Sequence, residues 1–138
     1  MRRTLLAAAA LALAAGLAGP ANAQDLKSVG ISVGSLGNPF FVATIKGIED
    51  KAKGINPNVK VTSVSSDYDL NKQFTQIDNF IAAGTNVILL NAVDPVAIEP
   101  AVKRAQAAGV VVAAFDVAAA GADVTVMTDN VKAGEIAC

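Results

Sequence analysis

The sequence predicts an α/β domain: a doubly wound, mostly parallel sheet with helices on both faces. Three observations predict it. Short aliphatic runs alternate with amphipathic stretches of helical length in the order β-α-β-α-β-α-β-β. Hydrophobic residues make up 53% of the chain while aromatics make up only 4%, so Ala, Val, Ile and Leu build the core. Glycines punctuate the ends of the helical stretches, as at Gly84 and Gly109.

The elements follow in order. Val29–Val33 reads as a short strand ending in Gly34, and Ser35–Pro39 as a loop. From Phe40, the apolar positions Phe41, Ile45, Ile48 and Ala52 step by four, three and four and mark one helix face, closed by Gly54 and Pro57. Val59–Val64 is a second strand and Ser65–Asp69 a polar loop. Leu70–Ala83 is a second helix, with Leu70, Phe74, Ile77 and Ile81 predicted on its core face. Val87–Leu90 is continuously apolar, as expected of a strand buried on both faces of a parallel sheet. Asp94 and Pro95 read as cap and first residue of a third helix, against which Pro100 is an obstacle; its core face is Ile98, Val102 and Ala105. Val110–Phe115 and Val124–Met127 are the last strands, and Asp129-Asn130 caps a helix over Val131–Ala137.

Residues 1–23 stand apart from the fold. Arg2 and Arg3 precede an uncharged run from Leu5 to Gly19, then Pro20 and the small residues Ala21-Asn22-Ala23. That is the pattern of a cleaved export signal, with cleavage expected after Ala23. The run is shorter than the roughly 20 residues that span a bilayer. Losing both arginines from the 11 basic residues leaves 9 against 12 acidic ones, a mature net charge of −3. This balance excludes the clustered basic excess of a nucleic-acid-binding surface. With no histidine, the chain has no Ser-His-Asp or Cys-His pair and no His-based zinc site. Its one cysteine, Cys138, has no partner for a disulfide within the chain. No cofactor or metal is expected.

In a parallel α/β sheet, ligands bind outside the carboxyl ends of the strands, where the strand order reverses. The informative loops are therefore 35–41, 65–69, 91–95, 116–122 and 128–130. The first has neither GxGxxG nor GxxxxGK[ST], so a phosphate cradle is not its purpose. It offers Asn38 beside Phe40 and Phe41 at a helix start, an amide that can donate and accept next to rings that pack on the C–H faces of a sugar. Both rings have an alternative place in the core, Phe41 more so because it lies on the apolar face. Asn91 and Asp116 each follow an apolar strand directly; Asn91 reads as a ligand contact or a turn former, and Asp116 as an acceptor for two neighbouring hydroxyls. Asp94 is most simply a cap, Asp67 and Asp69 solvated, and Thr128 either a contact or a connection. No nucleophile and no carboxylate pair is marked for catalysis.

These residues resemble a known family, the periplasmic sugar-binding proteins of ABC transporters, in their ribose-binding-like group. The resemblance runs from Ser28 to Cys138 and rests on Asn38-Pro39-Phe40-Phe41, Leu89-Leu90-Asn91 with Asp94-Pro95, Phe115-Asp116 and Thr128-Asp129-Asn130, in that order behind an export signal. It implies two α/β lobes closing on a monosaccharide or polyol, delivery to the membrane subunits of a permease, and a chemoreceptor as a compatible second partner. Asn38 and Asn91 would bond sugar hydroxyls, Phe40 and Phe41 would pack on the ring, and Asp116 would accept from two hydroxyls. Where ribose binders carry an Arg after that Asp, this chain has Val117, which removes a bidentate donor and makes another pentose, a hexose or a polyol as apt as ribose. The implied division is a signal over 1–23, an N-terminal lobe over 24–128, and the start of a crossover to a second lobe over 129–138; the sequence reads as a fragment of a longer product. A sugar-responsive repressor lobe would need a helix-turn-helix where the signal lies. An exported α/β enzyme would need catalytic residues beyond those present.

Overall fold

A computed structural model describes residues 26–138; the export signal and its cleavage point lie outside the described residues. The elements are β1 (Ser28–Val33), α1 (Pro39–Ile55), β2 (Lys60–Ser65), α2 (Leu70–Ala82), β3 (Val87–Leu90), α3 (Glu99–Ala107), β4 (Val111–Phe115), β5 (Val124–Val126) and α4 (Asn130–Ala137). All five strands are parallel in the order β2-β1-β3-β4-β5. The α/β architecture is as the sequence predicts, and the order reverses between β1 and β3. No helix among the described residues is long and apolar enough to cross a membrane.

Strand alternation sorts the core into two layers. On one side, Ile88, Leu90, Val112 and Ala114 meet Ile77 and Phe80 of α2 and Ala101, Val102 and Ala105 of α3. On the other, Val29, Ile31 and Val33 meet Phe41, Ile45 and Ala52 of α1. The second layer is incomplete. Val87 and Leu89 of β3 are half-buried, and Val111, Val124 and Val126 are exposed, because α1 packs on β1 and β2 and leaves β4 and β5 bare on that face. The expectation that β3 is buried on both faces is corrected accordingly.

Two further expectations need correction. The buried face of α2 is Gln73, Ile77 and Phe80, with Leu70, Phe74 and Ile81 only half-buried. The helix is rolled because Phe80 lies directly over Gly30 of β1: a Cβ there would stand 2.7 Å from the ring. The regular helix α3 begins at Glu99, not at Asp94. The Asp94 carboxylate accepts from the amides of Val96 and Ala97 and caps a separate turn. Pro100, which lacks an N–H, then falls in the first turn of α3, where none is needed. Gly84 and Gly109 adopt positive φ (+66° and +81°) at the turns from α2 to β3 and α3 to β4, as their role as helix stops requires.

Candidate functional site

The candidate residues lie on the segments that follow the carboxyl ends of β1, β3 and β4, the strands around the reversal. On the first, Asn38 is the N-cap of α1, its side-chain oxygen accepting from the Phe40 amide at 3.0 Å. Pro39 at the first helical position completes a local signal that the sequence carried openly. The cap commits the side-chain oxygen of Asn38 to the fold, and Asn38 does not line the cleft that holds Phe40.

Capping turns Phe40 outward, where it is 52% exposed. Phe41 is 4% exposed and packs with Val33 and Ile45, so it is a core residue and not a ring presented to ligand. Its contact with Phe40 is edge-on, centroids 5.3 Å apart, which fixes the exposed ring. The expectation of two stacking rings thus reduces to Phe40, supported from below by Phe41.

Asn91 and Asp116, 25 residues apart in sequence, are brought together. The Asn91 side-chain NH2 donates to Asp116 Oδ2 at 2.9 Å, with a longer bond to the Phe115 carbonyl at 3.4 Å. Asn91 is buried, and its main-chain N–H donates to the Ser32 carbonyl, which carries the β1–β3 pairing one residue past the strand. Asp116 is exposed and has φ +62°. Its amide donates to Val126 O, and Val117 N donates to Phe115 O at 2.7 Å, a γ-turn that lifts the carboxylate out of the sheet edge. Val117 itself packs against the core layer of α2 and α3 and presents no donor.

Phe40 and Asp116 share one cleft of about 240 Å³ with Thr44, Phe115, Val126, Met127 and Thr128. Thr44 was missed from sequence; the signal for it was its place one helical turn after Phe40. Its hydroxyl donates to the Phe40 carbonyl. Among the described residues three other cavities are larger: about 280 Å³ between β2 and α2, about 360 Å³ against α1 at Leu36, Val42 and Ile45, and an apolar groove of about 420 Å³ between α1 and the β1/β3 face. None of them is lined by Asn38, Phe40, Asn91 or Asp116, although the one between β2 and α2 carries Thr62, Gln76, Asn79 and Thr85. Among the described residues there is no group of three or more metal-ligating side chains.

The remaining candidates have structural duties. Asp69 caps α2 through the Lys72 amide, and Asp129 caps α4 the same way through Lys132. The Lys72 ammonium, helped by the Ser65 hydroxyl, holds the Asp67 carboxyl below its ordinary range. The Ala97 and Val96 amides do the same for Asp94.

A further group was invisible in the sequence. Gln73, fully buried on α2, donates to the Asn91 main-chain oxygen at 2.9 Å and to Ser32 Oγ at 3.0 Å, and accepts from Val93 N at 2.9 Å. Ser32 in turn donates to Gln76, which donates to the Ser65 carbonyl. Only its i, i+4, i+7 spacing with Ile77 and Phe80 set Gln73 on a buried stripe.

Comparison with known proteins agrees with this geometry. A family model described as a periplasmic binding protein domain matches residues 29–138. The ribose import binding protein of Bacillus subtilis is 40% identical over 122 residues, covering 86% of this chain and 39% of that protein. That of Escherichia coli is 30% identical over 99% of this chain and 46% of its own length. Among solved structures, an arabinose binding protein from Geobacillus stearothermophilus is similar at TM-score 0.71 and 31% identity, covering 82% of this chain and 39% of that one. A Caulobacter myo-inositol binding protein bound to myo-inositol is similar at TM-score 0.69 and 27% identity, covering 86% and 40%. The chain therefore spans less than half the length of these relatives. With residues 29–138 matched, the chain belongs to the periplasmic binding protein domain family.

Proposed function

We propose that this chain is the N-terminal lobe of the substrate-binding component of an ABC sugar importer, which captures a monosaccharide or polyol in the periplasm and passes it to a membrane permease. One observation carries the reading. An exposed aromatic ring, Phe40, shares a cleft with a carboxylate, Asp116, that a buried carboxamide, Asn91, holds in place. A sugar has an apolar ring face and vicinal hydroxyls, and this pairing answers both. The family is one of solute-binding transport components and not of enzymes.

The cleft of about 240 Å³ lies below the roughly 300–1,000 Å³ typical of small-molecule sites, as suits one wall of a two-lobed site. Residues 129–138 belong to the passage toward a second lobe on this reading, consistent with α4 burying none of its residues. A single lobe makes part of the contacts and still meets the full cost of association, so binding is expected to be weak. The test is an NMR titration of the chain with ribose, arabinose and myo-inositol at millimolar concentration. Amide shifts confined to residues 38–44, 91–94, 116–117 and 127–128 are expected with at least one of them. Shifts centred on the cavity between β2 and α2, or none with any sugar, would refute the assignment.

A further inference from the structure

We propose that Gln73 is a positioning residue for the ligand site, setting the Asn91–Asp116 pair from beneath; the proposal rests on the sugar-binding reading above. Gln73 touches neither the cleft nor Asp116. It brackets the loop after β3, donating to the carbonyl of Asn91 and accepting from the amide of Val93 two residues on. Its second N–H goes to Ser32 Oγ on β1. Both amide hydrogens and one oxygen lone pair are thus committed in fixed directions, and the side chain is fully buried.

The consequence reaches the site through Asn91. Its main-chain N–H is held by Ser32 O and its main-chain O by Gln73, so both its backbone polar groups are anchored before the side chain is placed. That side chain then reaches Asp116 Oδ2. Anchoring at two points fixes the direction of the carboxamide, and the carboxamide fixes which Asp116 oxygen is left for ligand. A buried amide on an otherwise apolar helix face gives up burial that Leu or Met would supply more simply. Its three partners converge on one loop and the adjacent strand where β1 and β3 part. The second amide of the helix, Gln76, ties the same Ser32 hydroxyl to the end of β2, so α2 braces three carboxyl strand ends at once.

The test compares Gln73→Met, which keeps volume and removes the hydrogen bonds, with Ile77→Val, which loosens the same buried stripe of α2 without touching the loop. Two readouts are taken on the full chain: the side-chain NH2 resonance of Asn91 in the absence of sugar, and the affinity for myo-inositol, ribose and arabinose as probes. Gln73→Met is expected to move the Asn91 resonance and weaken the responding probe roughly tenfold or more, as loss of supporting hydrogen bonds does at preorganised sites. Ile77→Val is expected to lower Tm and move neither. Where Gln73→Met does not fold, Gln73→Glu replaces it, still accepting from Val93 but unable, when ionised, to donate to Asn91. An unmoved Asn91 resonance with unchanged affinity in the Gln73 variant, or equal weakening by Ile77→Val, overturns the proposal. If no probe binds the unsubstituted chain while Gln73→Met still shifts the Asn91 resonance, the sugar-binding reading fails and the hold of Gln73 on Asn91 stands.

Discussion

Replacing Asp116 by Asn and by Ala should separate the ligand role of this residue from its role in the fold. Asn keeps the shape and offers an oxygen to the Asn91 NH2 that now bonds Asp116 Oδ2 at 2.9 Å. It also tolerates the observed φ of +62°. Stability is therefore expected to change by no more than about 0.5 kcal/mol. Ala loses on both counts. The left-handed region costs about 1–2 kcal/mol, part of which the short polar side chains of Asp and Asn recover by local hydrogen bonds and Ala does not. The buried Asn91 donor, left with only the Phe115 carbonyl at 3.4 Å, loses about 1–3 kcal/mol more. A Tm lower by roughly 10 °C or more follows for a domain of this size. Affinity should rank differently. A hydroxyl bonded to an ionised oxygen contributes about 1.5–3 kcal/mol, against about 0.5–1.5 for a neutral hydrogen bond such as the amide of Asp116→Asn would make. Two such bonds make the loss in Asp116→Asn about 2–3 kcal/mol, roughly 30- to 140-fold. Calorimetric melting with a parallel sugar titration reads both rankings. Wild-type affinity in Asp116→Asn would remove the carboxylate from the site, and an Asp116→Ala variant as stable as Asp116→Asn would show that Asn91 does not depend on it.

Two other expectations concern the fold. Gly30→Ala puts a Cβ 2.7 to 2.8 Å from three ring atoms of Phe80, an overpacking cost of about 1–3 kcal/mol in denaturant unfolding; Phe80→Leu in the same chain should recover part of it, and full additivity of the two losses would refute the contact. Asp67 and Asp94 both titrate below the ordinary aspartate value of 3.8, held there by Lys72 and by the Ala97 and Val96 amides respectively. A depressed folded value means that the stabilisation is present above the unfolded value and is lost as pH falls through the folded one. Tm should thus drop on acidification below about pH 4, less so in Asp94→Asn, which keeps the capping oxygen without the titration; an equal drop in that variant would place the acid sensitivity elsewhere.

Much of this fold was legible in the sequence because its signals are local. β3 and β4 are apolar runs of four and five residues, the turns into them need positive φ and carry Gly84 and Gly109, and Asn38-Pro39 spells out a helix start. The topological rule then pointed to the loops after the strands as the candidates for a ligand site. What was not legible depends on partners far away in the chain. Gln73 looks like a solvated helix residue until Ser32, 41 positions earlier, and Asn91, 18 later, close around it. The roll of α2 was set by the ring of Phe80 needing the bare Cα of Gly30, which an apolar count over one helix cannot see. Phe41 lay on the apolar face and went to the core; composition alone could not decide between burial and a sugar ring. At the candidate site, the bond between Asn91 and Asp116 joins residues 25 apart and could not be read from either one alone.

The placement of strained backbone bears on why the pairing has the form it does. Positive φ occurs at three non-glycine residues among those described: Asp67, Tyr68 and Asp116. All three lie in loops that leave the carboxyl ends of strands, after β2 and after β4. At the opposite edge, where α2 and α3 turn back into β3 and β4, the same backbone region is filled by Gly84 and Gly109, for which it carries no steric penalty. Glycine thus serves where these helices turn back into strands, while the strained loops after β2 and β4 carry side chains with partners: Asp67 with Ser65 and Lys72, and Asp116 with Asn91. At Asp116 the strain is held in place by the bond from its own amide to Val126 and by the Asn91 bond to its carboxylate. Folding meets that cost once, before any ligand arrives. On the proposed function, the carboxylate then need not be reoriented on binding, and an interaction confined to one shallow wall would keep more of its free energy as affinity.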